Sequence, residues 1–294
     1  MNQVKGHTLA IITILLWGTT FVSTKLLLLD FSPLEILIYR FVLGFIALCM
    51  IYPKPLKGVT WRQELYFAAA GFFGITLYYL FENIALTYTY ASNAALITAT
   101  APFFTMLAAY FFLKEEKLKP SFFFGFLISI IGVALISFSG ATTIQLNPLG
   151  DFLALLAAIA WAGYSVFTKK ISAYGYNMIQ ITRRIFAYGL FFMMFSLFFL
   201  KFDFEPDLFL KPINYSNLLY LGLGASATCF VTWNMAMREL GAVKASLYIY
   251  LVPIITVVSS VVILDEQITK MSGIGMLLTL TGLIISKIDW KKRT

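Results

Sequence analysis

Glu82 is the residue of this 294-residue chain whose surroundings most invite chemistry. It stands near the end of a long apolar stretch, Leu65–Tyr88, where an ionised carboxylate is expensive unless it is paired or hydrated. Tyr78 and Tyr79 precede it by four and three residues, so on a helix both phenols share a face with the carboxylate. Such a cluster suits a substrate ammonium or an exchangeable proton. It equally suits a structural partner for Arg40 or Lys25, or a side chain reaching out to lipid headgroups, and the residues alone leave these readings open. Arg40 and Arg184 pose the same question with the opposite sign. Each lies inside an apolar stretch, where an arginine faces a cavity, a partner or the carbonyls of a helix end. Recognition of a substrate carboxylate is one reading, a gate or structural role the other. Asn83 and Asn234, also in apolar stretches, read mainly as interhelical hydrogen bonds.

Several other chemistries have no residues to carry them. His7 is the single histidine, and Cys49 and Cys229 lie in separate apolar runs. No transition-metal site, histidine dyad or disulfide framework can be assembled from these. The G-x-x-x-x-G-K-[ST] phosphate loop of an ATP-driven pump is missing, as are H-E-x-x-H and G-x-S-x-G, so neither a pump nor an intramembrane enzyme is expected. No cofactor is expected either.

The elements that must position these residues are set by composition. The chain is 60% hydrophobic and 12% charged, with a mean hydropathy of +0.84. Soluble domains carry about 25% charged residues, so the solvent for most of this chain is lipid. Ten apolar stretches can be marked, each near the ~20 residues a bilayer core demands. They run His7–Leu29, Pro33–Tyr52, Leu65–Tyr88, Ala91–Leu113 and Ser121–Phe138, then Asp151–Phe167, Met178–Leu200, Asn217–Met237, Ala242–Leu264 and Gly273–Ile288. They are apolar on all sides rather than alternating, which indicates helices and not strands. The first stretch lacks a small-residue cleavage site and reads as a span rather than a leader.

The excess of 8 positive charges falls in short gaps between the stretches. An anionic membrane surface explains it better than nucleic acid does. With the N-terminus in the cytoplasm, the inner side holds Lys5, Lys54, Lys57, Arg62, Lys114, Lys117, Lys119, Lys169, Lys170, Arg238, Lys244, Lys287, Lys291, Lys292 and Arg293. The outer side holds only Lys201, Lys211 and Lys270, with Lys25 near an outer helix end. The positive-inside bias therefore places both termini in the cytoplasm. The longest gap, Ser139–Gly150, has the composition of a linker between halves, and Lys201–Ser216 that of an outer surface loop.

The chain also repeats itself. At an offset of 151, Asn83, Ala85, Ala91, Ala94 and Leu96 fall on Asn234, Ala236, Ala242, Ala245 and Leu247, and Pro102, Thr105, Glu115 and Lys119 on Pro253, Thr256, Glu266 and Lys270. At an offset of 144, Trp17, Lys25 and Arg40 fall on Trp161, Lys169 and Arg184. Two halves result, 1–143 and 144–294, each with an odd number of helices, so the second must enter the membrane from the opposite side. Inverted repeats support alternating access, because exchanging the conformations of two similar halves converts an inward-open cavity into an outward-open one.

This pattern resembles that of the EamA-type transporters of the drug/metabolite transporter superfamily. The residues that carry the resemblance are Trp17-Gly18, Lys25, Arg40, Ala85-Leu86, Pro102, Glu115 and Gly132. The second copy supplies Gly150, Trp161-Ala162, Tyr164, Lys169, Pro253, Glu266 and Gly282. The resemblance spans essentially the whole chain. It implies an all-α integral membrane carrier of ten helices, with a central cavity lined by helices 1–4 and 6–9 and helices 5 and 10 peripheral. It also implies export of small metabolites, often amino acids. One departure is that Trp161-Ala162-Gly163 stands where the first half has Trp17-Gly18-Thr19.

Positions common to both halves should serve the fold or the gates, and positions that differ should recognise an asymmetric substrate. The differing pairs are Glu82 with Trp233, Ile97 with Tyr248, Ala99 with Tyr250 and Thr20 with Tyr164. The differing positions make Glu82, Tyr164, Trp233, Tyr248 and Tyr250 the specificity candidates, and Tyr78, Tyr79, Trp17 and Trp161 complete the candidate substrate-binding set. Packing or an interfacial aromatic belt is the competing reading for the aromatics. Arg40, Arg184, Asn83, Asn234, Pro102 and Pro253 are the gate or structural set. Each proline removes a hydrogen bond to the carbonyl four residues earlier, Thr98 or Ile249, giving either a hinge or a static kink. Glu115 and Glu266 stand just before the peripheral helices and are expected to complement their positive N-terminal ends. Gly125, Ser129 and Gly132, with Gly275 and Gly282, form small-residue stripes for close packing, within the chain or in a homodimer. The expected partners are a small neutral or zwitterionic substrate and the lipid bilayer of the cell membrane. The expected function is secondary transport, the rivals being a channel-like uniporter and a non-transporting scaffold.

Overall fold

The computed structural model describes residues 3–113, 120–138, 148–241 and 245–285. Lys114, Glu115, Lys117, Lys119, Ala242, Lys244, the basic C-terminal residues from Lys287, and nearly all of the linker Ser139–Gly150 lie outside the described residues. Helices make up the described chain, and no strand occurs among those residues. In order they are α1 Gln3–Leu27, α2 Pro33–Ile51, α3 Trp61–Tyr88, α4 Ala91–Leu113, α5 Pro120–Phe138, α6 Pro148–Ser172 and α7 Met178–Ser196, then α8 over 212–240, α9 over 245–264 and α10 Lys270–Ile285. Of these, α1, α2, α3, α4 and α6 are both long and apolar enough to cross a membrane. Several boundaries lie beyond the expected ones, because prolines open α6, α8 and the short 3-10 turn Pro206–Leu210 inside the expected outer loop.

Local signals explain the starts. Ser32 accepts from the Glu35 N–H while the Glu35 carboxylate accepts from the Ser32 N–H, a reciprocal cap that opens α2. Thr60 and Gln63 do the same for α3, and Asn177 caps α7. Four helices are not regular. In α3 the segment Phe72–Leu77 is π-helical, and in α8 the segment Tyr220–Thr228 is. α4 breaks at Ala99–Thr100 between Ala91–Thr98 and Ala101–Leu113, and α9 winds as a 3-10 helix over Leu247–Leu251 before Val252–Leu264. Both prolines act at these breaks: Pro102 and Pro253 are each the second residue of the resumed α-helix.

The packing has a reciprocal pattern. α1 lies against the second half of α8 and against α9, and α6 lies against α3 and α4. α2 packs on the π-helical segment of α8, as α7 packs on that of α3. α5 and α10 pack chiefly on each other. There the small-residue stripes meet inside the chain. A methyl at Gly132 would lie 2.4 Å from Thr279 Oγ1, and one at Gly282 2.4 Å from the Gly125 carbonyl oxygen. Helix backbones approach this closely only where side chains are minimal.

Hydrogen bonds define two faces of the bundle. On the first, Lys211 and Asn214 at the start of α8 donate to Asp30 in the α1–α2 turn, at 2.6 and 2.8 Å. The Lys211 ammonium holds the Asp30 carboxyl below its ordinary range, with help from Asn214. On the second face, Arg183 of α7 donates to the carbonyls of Tyr52 and Lys54 after α2, and Gln180 to those of Lys54 and Pro55.

Candidate functional site

Aromatic side chains from four helices converge at the middle of the bundle. Trp17 of α1 meets Trp161 of α6 edge to face at 5.4 Å between ring centroids, and Trp233 of α8 at 5.2 Å. Trp161 continues to Tyr78 of α3 at 5.1 Å and to Tyr164 at 4.8 Å, and Tyr78 to Tyr79 at 4.7 Å. Such tilted contacts match the ring quadrupoles, negative at the face and positive at the edge. The π-helical segments serve this cluster. Gly74, within that of α3, leaves room for the Tyr164 ring, since a methyl there would lie 2.1 Å from it. In α8, the Ala225 carbonyl, within the π-helical segment, accepts the Trp17 indole N–H at 3.0 Å.

The cluster walls a cavity of about 40 Å³. Trp17, Thr20 and Phe21 come from α1, Tyr78, Tyr79 and Glu82 from α3, Trp161 from α6, Thr98, Ala99 and Ala101 from the α4 break, and Ile249 and Val252 from α9. A water needs roughly 10–15 Å³ of such space, so the cavity has room for a few waters and none for a metabolite. This conformation is closed around its centre.

Among the described residues, Glu82 is the only carboxylate of the lining. It is 2% exposed, and its Oε1 has no partner. At that exposure it reaches no headgroup. Lys25 is not its partner either, since that ammonium donates to the Leu86 and Thr89 carbonyls. Arg40 is fully buried nearby, with its guanidinium carbon 4.3 Å from the Tyr79 ring centroid. Its Nε donates to Ser226 Oγ at 3.1 Å, while both terminal nitrogens lack a partner. Arg184, its counterpart in the second half, is part-exposed and paired with Glu64, which also accepts from the Tyr188 hydroxyl at 2.7 Å. The two arginines thus occupy different environments, and the offset of 151 explains why: Tyr215 stands where the first half has Glu64.

The remaining candidates divide. Tyr164 and Trp233 are buried behind the lining. The Tyr164 hydroxyl donates to Asn234 Oδ1 at 2.9 Å, and Asn234 donates on to Thr182. Asn83 donates to the Pro33 carbonyl at 3.1 Å, joining α3 to the start of α2. Tyr248 and Tyr250 are not at the cavity. Tyr248 bonds His7 at 2.6 Å beside the start of α1, and Tyr250 sits in a separate cluster with Phe103. Two residues apart on a helix, they point to different sides, and Ile249 between them faces the cavity.

Glu266 is a second correction. Its carboxylate does not serve α10, the helix that follows it. It accepts from the backbone N–H groups of Ala91 and Ser92, at the start of α4, and from the Ser92 hydroxyl. Proximity along the chain points to α10, whereas the fold brings the start of α4 closer. Its counterpart Glu115 lies outside the described residues.

A helical membrane protein with a closed aromatic chamber between two sets of helices belongs to the class of membrane transporters. The comparisons with known proteins agree. The model of the EamA-like transporter family matches residues 4–138 and again 148–287, and the chain belongs to that family. A protein of Archaeoglobus fulgidus named "Uncharacterized transporter" is 28% identical over 290 residues, covering 97% of this chain and 98% of its own. An Escherichia coli protein named "Probable amino-acid metabolite efflux pump" is 25% identical, covering 98% and 97%. A solved structure aligns with a TM-score of 0.67 at 19% identity over 96% of each chain, which shows the shared fold. The chain is therefore a multi-pass membrane transporter.

Proposed function

We propose that this transporter is a secondary exporter of small amphipathic metabolites, amino acids foremost, working by alternating access in the cell membrane. The observation that carries the reading is Glu82. It is a buried carboxylate with a free oxygen, set in a chamber otherwise lined by aromatic, small apolar and threonine side chains. That combination receives a compact cation such as a substrate ammonium, through charge and through the ring faces. A substrate's apolar body would lie against Trp17, Trp161, Tyr78 and Tyr79. The chamber is drawn from both halves of the chain, and the reciprocal packing of α1 and α6 supports two inverted five-helix repeats. The match of one family model to both halves supports the same reading. The positive-inside bias of the sequence supports a cytoplasmic second face, with both termini on that side.

Counterflow in proteoliposomes tests this. Vesicles loaded with unlabelled phenylalanine, leucine or threonine should take up the same labelled amino acid transiently above equilibrium, with saturation. Uptake linear in concentration would indicate a channel, and no uptake across an amino-acid panel would reject amino acids as substrates.

A further inference from the structure

The connection between α3 and α4 is two residues long, Thr89 and Tyr90, and it is gripped on both sides. Lys25, from α1, donates to the Leu86 and Thr89 carbonyls, which the end of α3 leaves without helical donors. Thr89 donates its hydroxyl to Asp151 at the start of α6, at 3.0 Å. Glu266, after α9, takes the first N–H groups of α4, Ala91 at 2.8 Å and Ser92 at 3.2 Å, and the Ser92 hydroxyl at 2.6 Å. The cation thus sits at the negative end of one helix and the anion at the positive end of the next. Asp151 and Glu266 belong to the second half of the chain, so these bonds join the two halves on the first face of the bundle. The chain is bent to make them. Asp265, at φ 53°, is the one non-glycine residue with positive φ among those described, and it turns the backbone so that Glu266 faces α4 rather than α10.

The clasped segment also runs to a break in its helix. Ala91–Thr98 is held at its start by Glu266 and ends at the Ala99–Thr100 break, and its last residue, Thr98, lines the chamber together with Ala99. We propose that Glu266, with Lys25, forms a clasp that keeps the first face of the chamber shut. Its release frees Ala91–Thr98 to swing about the break and open that face. This proposal rests on the alternating-access reading.

The test places a single cysteine at Thr20, in the chamber wall, in a chain carrying Cys49→Ala and Cys229→Ala. An impermeant thiol reagent is applied to vesicles of either orientation. Asp207→Cys marks the first face and Lys57→Cys the second. Glu266→Gln exchanges charge-assisted bonds for weaker neutral ones, and it should label Thr20→Cys roughly tenfold faster from the Asp207 side and more slowly from the Lys57 side. Ser92→Ala, which removes one of the three bonds, should give a smaller rise in the same direction. Unchanged labelling in both variants, or a rise from the Lys57 side, overturns the clasp. If Glu266→Gln does not fold, Ser92→Ala and Lys25→Met decide by the same criterion. Counterflow by the parent chain in the same vesicles keeps the two ideas apart. Counterflow with unchanged labelling removes the clasp alone, and absent counterflow removes amino acids as substrates while the labelling still decides the clasp.

Discussion

Glu82→Gln is expected to abolish most counterflow of substrates that bear a free ammonium group, raising their half-saturating concentration by roughly 10- to 100-fold. That range corresponds to the ~1.5–3 kcal/mol of a hydrogen bond to a charged partner. The variant keeps the shape of the side chain, so the change is confined to charge and to proton exchange. An N-acetylated amino acid, which lacks the cation, should be transported equally by parent and variant. The comparison also separates the roles open to this carboxylate. Intact counterflow with loss of accumulation driven by a pH gradient would make Glu82 the proton site instead. A fall in melting temperature that Arg40→Gln partly offsets would make it a structural partner of Arg40. Unchanged counterflow, pH response and melting would remove Glu82 from all three.

The second large effect is expected at the α4 break. Pro102→Ala restores an N–H able to reach the Thr98 carbonyl, so that Ala91–Thr98 and Ala101–Leu113 can join into one continuous helix. A rigid α4 should slow exchange about tenfold, the equivalent of ~1.4 kcal/mol on the barrier, while substrate binding changes less than about twofold. Pro253→Ala should have a smaller effect. The Ile249 carbonyl already accepts the Val252 N–H within the 3-10 turn, so a new bond there must displace an existing one. Parental exchange rates in both variants would make the breaks static features of the fold.

What the sequence made legible follows from the range over which each signal acts. Long apolar stretches report their own burial, so the helices could be placed to within a few residues. Glu82 could be singled out because a carboxylate deep in such a stretch is anomalous by itself, Tyr78 and Tyr79 because they precede it by one turn, and Trp17 and Trp161 because they recur in both halves. The breaks were only half legible. Pro102 and Pro253 announce a missing hydrogen bond, but nothing in the composition of Phe72–Leu77 or Tyr220–Thr228 separates π from α winding. Tyr248 and Tyr250 were chosen because they differ from Ile97 and Ala99 of the first half, and a difference between halves does not say which way a side chain points. Glu266 was misassigned for a related reason: capping was argued along the chain, and its target lies 175 residues earlier. Its recurrence with Glu115 at the repeat offset was the available signal that the residue serves the arrangement of the two halves. The unlike surroundings of Arg40 and Arg184 were likewise hidden, because they depend on which helix carries Glu64 to Arg184 and none to Arg40.

The central claim is that one chamber between two halves opens to each face in turn. Thr98→Cys, in the chain lacking Cys49 and Cys229, tests it most directly. Impermeant thiol reagent should label this cysteine from the Asp207 side in one population and from the Lys57 side in another. A bifunctional label entering from one side should close that molecule to the other, and phenylalanine should slow both reactions. Labelling from one side only, under every condition in which the protein is folded and performs counterflow, would contradict alternating access through this chamber.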